Sequence, residues 1–214
     1  MLVRTWNLFH GKPSPPERRA FLRQMIELVT RDRPDVVCLQ ELPVWALPHL
    51  ENWSGMHATS ALARRPLLPL GARTVTSLHH GLFRSAFTGE ADAILTRGPA
   101  RDLGEHVVGQ TKLRRIAHSA EFDAVTVVNF HIDGERAQFD RVIALAPERS
   151  IVAGDANLVA PGADGFSPPL ADSIDQILVR GLELHDGPSA WALERRTVDG
   201  RVLSDHAPVE VVVA

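Results

Sequence analysis

The chain has 214 residues, 44% apolar and 23% charged, and its 26 acidic and 23 basic side chains leave a net charge of −3. That length and balance suit one globular domain with its own core and exclude an intrinsically disordered chain. A single cysteine excludes an internal disulfide and a Cys-rich zinc site, and the absence of tyrosine excludes any step that needs a phenol.

Residues 2–6 read as a short strand, followed by a loop with Gly11 and Pro13. A helix is predicted to start at Pro15, with Ser14 as N-cap and Glu17 three residues after the cap, and to run to about Arg31. Its apolar stripe is Phe21, Leu22, Met25, Ile26, Leu28 and Val29, and Pro34 stops it. Val36-Val37-Cys38-Leu39 is wholly apolar, as expected of a strand buried on both faces. A helix is expected over residues 44–53, irregular chain over 66–73 and another helix over 75–87. Residues 93–96 read as a strand. Residues 115–122 and 125–130 read as paired strands that turn at Asp123 and Ala124. A helix over 135–145 with Asp133 as its cap, and strands over 150–153, 174–179 and 209–213, complete the pattern. No repeat, low-complexity tract or linker interrupts it, so a mixed α/β fold in a single domain over residues 1–214 is expected.

The mild acidity argues against a dedicated duplex-binding surface. Of the 23 basic residues only Lys12 and Lys112 are lysines. Arginine grips phosphate with a two-pronged fork, although such a ratio ordinarily follows coding composition. No leader pattern opens the chain, and no apolar stretch approaches the ~20 residues that span a bilayer. The expectation is a soluble, cytoplasmic monomer.

Polar residues recur where apolar strands end. Asn7 follows the first strand, and Gln40-Glu41 the second. Asn129-Phe130-His131 follows residues 125–128, and Gly154-Asp155-Ala156-Asn157 follows residues 151–153. Asp175 lies in Ser173-Ile174-Asp175-Gln176-Ile177, and Ser204-Asp205-His206-Ala207-Pro208 precedes the last strand. Strand ends are where a rigid scaffold presents side chains into a crevice. Each residue alone has a plain structural reading as a turn former, surface carboxylate or satisfied edge histidine. Six such places, all drawn from carboxylates, amides and imidazoles, point instead to metal-assisted hydrolysis. Hard oxygen ligands such as Glu41, Asp205 and the Asn7 amide suit Mg²⁺ or Mn²⁺. A serine hydrolase is excluded, because no G-x-S-x-G is present.

In this order, across residues 5–208, these motifs together with Thr5-Trp6-Asn7 resemble the endonuclease/exonuclease/phosphatase superfamily, the DNase-like fold. The resemblance implies a four-layer sandwich, two mixed β-sheets face to face with helices outside, and divalent-metal hydrolysis of phosphoesters. It implies that Glu41 is the principal metal ligand, with Asn7 and Asp205 near the same Mg²⁺ or Mn²⁺. Asp155 would orient or deprotonate the attacking water, and Asn157 would position that water and a phosphate oxygen. His206 would contact the scissile phosphate with Asp175 holding its ring, and His131 would stabilise developing charge or protonate the leaving group. Arg115 reads either as a phosphate contact or as half of an exposed pair with Arg114, and Asp92, on the strand where the family contacts substrate, is the other candidate substrate-binding residue. Nucleic acid or nucleotide is the favoured substrate, with a lipid or sugar phosphate as the competing class and a non-catalytic binding module as the third.

The chain also departs from one branch of the family. Apurinic-site repair nucleases carry an aspartate two residues after the first asparagine, where this chain has Phe9, and they use a tyrosine that it lacks. Asp92 stands where the family strand usually has asparagine.

Overall fold

Valine and isoleucine at alternating positions mark the strands at residues 125–131, 175–180 and 209–213, because a β-branched side chain packs well on a pleated surface and every second residue faces the same side. The computed structural model describes residues 1–67, 87–110 and 113–214. Six strands form the first sheet: β1 (Leu2–Asn7), β3 (Val36–Leu42), β4 (His57–Arg64), β5 (Glu90–Thr96), β11 (Leu184–Ala190) and β14 (Val209–Val213). Their order is β11-β14-β1-β3-β5-β4, with β1 and β3 parallel and the other pairs antiparallel. The second sheet, in the order β10-β9-β8-β7-β6, comprises β6 (Arg101–Gln110), β7 (Arg114–Phe122), β8 (Val125–His131), β9 (Ser150–Asp155) and β10 (Asp175–Arg180). Only β8 and β9 are parallel in it. A small antiparallel sheet joins β2 (Pro13–Ser14), β12 (Thr197–Val198) and β13 (Arg201–Leu203).

Three apolar clusters hold these parts together. One contains Val3, Val36, Cys38 and Ile94 of the first sheet with Val127, Ile151, Ile177 and Val179 of the second, so the two sheets share a core. A second packs α1 (Leu22–Thr30) and α2 (Leu50–Ser54) against the first sheet through Met25, Ile26, Leu50, Val37 and Leu39. The third packs α3 (Arg136–Ile143) against the second sheet through Phe139, Val142, Phe130 and Val152. Among the described residues no helix is long and apolar enough to cross a membrane.

Several predicted elements stand as expected. The turn between β7 and β8 falls at Asp123 and Ala124, both at positive φ, as a two-residue hairpin connection requires. Elsewhere the structure differs. The first helix begins at Leu22, and Ser14 does not cap it but pairs with Val202 in the small sheet. Ser14 and Pro15 each precede a proline, which bars both from the helical region. The helix expected over 44–53 is split into a 3₁₀ segment, Val44–His49 with Pro48 inside, and α2, which Gly55 ends at φ +67°. The strands β4, β6 and β11 were not predicted, and all three are sheet edges. All but the last residue of the helix expected over 75–87, and most of the irregular stretch 66–73, lie outside the described residues.

Candidate active site

Along six strands the face turned to the other sheet changes character in the same direction. It runs Val3, Thr5, Asn7 on β1; Val36, Cys38, Gln40 on β3; and Ile94, Asp92, Glu90 on β5. On the second sheet it runs Val127, Asn129, His131; Ile151, Ala153, Asp155; and Val179, Ile177, Asp175. The registers pair His131 with Asp155 and Asp155 with Asp175, so these three side chains form one row across β8, β9 and β10. Gly154 allows that row to close, because a Cβ there would meet the Phe130 carbonyl oxygen at 2.0 Å. Opposite the row, an irregularity in β3 between Leu39 and Leu42 leaves Glu41 at φ +53°. Beneath the site the Gln40 amide donates to Thr5 Oγ1 (2.9 Å) and Asn129 Oδ1 (2.6 Å), and Asn129 donates to the carbonyls of Leu39 and Ala93. This buried network ties the two sheets together where the apolar cluster stops.

Asp155 is the centre of the arrangement. Its Oδ2 accepts the Asn7 amide at 2.9 Å and lies 3.6 Å from His131 Nε2 and 3.9 Å from His206 Nε2. The same Asn7 Nδ2 donates to Glu41 Oε1 at 3.1 Å, so one amide bridges two carboxylates from different sheets. His10 Nε2 lies 3.5 Å from Glu41 Oε2. Each histidine beside Asp155 is oriented by a second carboxylate at its other ring nitrogen. His206 Nδ1 is 2.9 Å from Asp175 Oδ2, and His131 Nδ1 is 3.4 Å from Glu90 Oε1. Ser204 secures the loop before β14 by donating to the Asn7 carbonyl (2.7 Å) and accepting the His206 N–H (3.1 Å).

These surroundings shift proton affinities. Burial opposes a charged ring at His206, but the hydrogen bond and charge of Asp175, with Asp155 and Asp205 nearby, outweigh it and raise the ring to about 9. His131 is raised in the same way: burial is outweighed by Glu90, and Glu41 and Asp155 add to the effect. Glu90 is lowered, since His131 outweighs the burial that would raise it. Burial raises Asp175 despite its histidine. Asp92 is pushed up to about 8 by burial, and neither of its oxygens has a hydrogen-bond partner among the described residues.

Of the residues singled out in the sequence, Asn7, Glu41, His131, Asp155, Asp175 and His206 converge at this end. Asn157 buttresses it: its N–H donates to Asp155 Oδ1 and its side-chain amide to the Ile132 carbonyl, both at 2.9 Å. Asp205 stands on the rim, 4.0 Å from His206 Nε2, with its side chain 43% exposed. Arg115 sits behind His131, with Nε donating to Asp133 Oδ1 at 2.6 Å and Nη1 3.3 Å from both Glu90 Oε1 and His131 Nδ1. Asp92 is buried inside rather than presented at the mouth. Asp133 does not cap α3, whose N-cap is Glu135; it accepts Arg115 instead. Glu90, His10 and Ser204 were not assigned roles from the sequence. Glu90 shares a face with Asp92 two residues on, but its pairing with a histidine from the other sheet has no sequence signal.

The donor set fits a hard divalent cation. Glu41 and Asp155 offer carboxylate oxygens on either side of the Asn7 amide, and the Glu41 side chain is 20% exposed. A second grouping, Asp155, Asp175 and His206, has ligand atoms within 4.8 Å of one another. In that grouping His206 Nδ1 meets Asp175, while in the first the Glu41 oxygens meet the Asn7 amide and His10, so an entering ion would displace polar contacts at either place.

Comparison with known proteins shows the family and the fold. The family model described as the endonuclease/exonuclease/phosphatase family matches residues 5–206. A functionally unknown conserved protein from Enterococcus faecalis has the same fold at 18% identity, covering 100% of this chain and 99% of that one, with a TM-score of 0.69. An endonuclease/exonuclease/phosphatase from Beutenbergia cavernae is similar at 16% identity, covering 99% and 70%, with a TM-score of 0.70. D. rerio TDP2 complexed with single strand DNA product is similar at 16% identity, covering 100% and 98%, with a TM-score of 0.65. No curated protein matches the sequence significantly.

Proposed function

The chain belongs to the endonuclease/exonuclease/phosphatase family, and from that premise we propose that it is a Mg²⁺- or Mn²⁺-dependent phosphodiesterase acting on nucleic-acid or nucleotide substrates. The observation that carries this reading is the convergence of two histidine Nε2 atoms on one oxygen of Asp155, each ring oriented from behind by its own carboxylate. Glu41 would hold the cation with Asn7, and Asp205 would stand at its solvent side. When bound, the cation supplies Lewis-acid stabilisation of charge on the phosphoryl oxygens.

The chain's own residues account for the remaining work. Asp155, held by Asn7 and by the Asn157 N–H, orients a water for in-line attack and accepts its proton. His206 and His131 are both biased towards the protonated form, so each offers an Nε2–H donor to the phosphate or to the departing oxygen. Asp175 and Glu90 keep those rings in one orientation, and Arg115 holds Glu90 in place. The Asn157 side chain, bonded to Ile132 in this structure, would turn to position the water and a phosphate oxygen. The DNA product named for D. rerio TDP2 supports a nucleic-acid substrate.

A panel of single-stranded DNA, nucleotides and generic phosphodiesters, assayed with Mg²⁺, with Mn²⁺ and with a chelator, tests the reading. Turnover that the chelator abolishes is expected on at least one phosphodiester. No turnover with either metal on any of them would overturn it.

A further inference from the structure

A cationic pocket adjoins the proposed site without belonging to its hydrolytic centre. The β4–β5 register sets Arg64 directly across from Glu90, the residue that orients His131. β7 begins beside them with Arg114 and Arg115. With Ala63, Arg65 and Leu113 these residues line a cavity of about 360 Å³, at the small end of the range for ligand sites. Four arginines and one carboxylate line it, and that carboxylate, Glu90, is already engaged by His131 and Arg115.

The four arginines are not equivalent. Arg115 is spent on Glu90 and Asp133. Arg114 donates to the Leu62 carbonyl at 2.5 Å, bridging the two sheets, and pairs with Glu105. Arg64 and Arg65 have no hydrogen bond or ion pair among the described residues. The positive lining is also short. The next cavity along the edge, about 670 Å³, shares Ala63, Arg65 and Arg114 but adds Asp102 and Glu105. A long polyanion track would stay basic along its length, whereas this one is basic for a single pocket.

We infer that this pocket takes a second phosphate of the substrate, other than the one being cleaved, with Arg64 and Arg65 as its ligands, so that the substrate is a short single strand of nucleotides. The inference rests on the phosphodiesterase reading for its substrate class. A planar guanidinium fork gives a phosphate two parallel hydrogen bonds, and two forks without carboxylate partners attract an anion while presenting little competition for it. The acidic residues beyond would discourage a third contact.

The R64A/R65A double variant tests it in two ways. Binding of a fluorescent short oligothymidylate, measured without metal, should weaken by about tenfold or more. The slope of log Kd against log salt should shrink by about 0.7, the contribution of one phosphate on a single strand. In turnover, the ratio of kcat/KM on the oligothymidylate to that on bis(4-nitrophenyl) phosphate should fall at least about tenfold, through KM, and R64K/R65K should recover the salt slope. An unchanged Kd and slope, no binding by the parent protein, or equal losses on both substrates would overturn the pocket. Arginine-dependent binding with no hydrolysis of either substrate would keep the pocket and discard the hydrolytic reading. Hydrolysis of the strand with a KM indifferent to the arginines would do the reverse.

Discussion

At one end of the space between the two sheets, Val3, Val36, Ile94, Val127, Ile151 and Val179 close into a dry cluster. At the other, the same faces of the same strands carry Asn7, Gln40, Glu90, His131, Asp155 and Asp175. Both ends are almost wholly buried, so burial does not distinguish core from site. What differs is the work that burial does. At the apolar end, removal from water stabilises the fold in proportion to the area covered. At the polar end it strips carboxylates and imidazoles of solvent, a cost met only by their mutual pairing. The first end should therefore be altered at a cost in stability alone, and the second at a cost in activity above all.

The largest expected effect is at the polar end. Asp155→Asn, which keeps the shape, should lower kcat by about 10³-fold or more, because the site acts as a unit. Glu41→Ala should abolish metal-dependent turnover. The thermal melt of Glu41→Ala should stay near the parent's, whereas Asp155→Asn should lower it, since it takes the anionic partner from Asn7, the Asn157 N–H and two histidines. Retained activity would break the assignment of the centre, and a collapse of the Glu41→Ala melt would show that Glu41 carries the fold as well.

Next in size is the apolar end. Ile151→Ala, four residues before Asp155 on the same face of β9, should cost about 2–5 kcal/mol in denaturant unfolding. Turnover per folded molecule should stay close to that of the parent. A large loss of kcat at full folding would mean that the two ends are mechanically coupled.

A pH-dependent effect, absent near pH 4, lies at the boundary, in Asp92. Its carboxyl is raised from 3.8 to about 8 by burial. Between those values the folded protein binds a proton that the unfolded chain has released, so stability contributed at this position falls as pH rises through the window. Asp92→Asn is neutral at every pH. Its melting temperature should match the parent's near pH 4 and exceed it increasingly towards pH 8. A difference that does not vary with pH would show that Asp92 is ionised and paired.

The legible parts of the fold were those whose side chains face apolar surroundings. β1, β3, β8, β9 and β14 are interior strands, and their β-branched runs announce them. β4, β6 and β11 are edges with little to bury; of the ten residues in β6 only Val108 and Gly109 are buried. The start of α1 differs from the cap-like Ser-Pro signal because the second proline keeps Pro15 out of the helical region. In the site, Glu41, Asp155 and His206 stood out because each closes or precedes an apolar strand. Glu90 also ends a strand, but it lies at the beginning of β5, before the apolar run that marks it.

By itself the sequence determined that apolar strands end in carboxylates, amides and imidazoles, in an order that resembles one hydrolase family. Those facts are local, because a strand and the polar residue at its end are neighbours in the chain. Only the tertiary structure decided which partners those residues meet. Asn7 reaches Asp155 from 148 residues away, and His206 reaches Asp175 from 31. The buried Asp92 and the pocket at Arg64 and Arg65 likewise depend on strands from distant parts of the chain meeting at one edge. Proton affinity, orientation and charge pairing are properties of such neighbourhoods, and register between strands, unlike strand formation, is set by the packing of the whole domain.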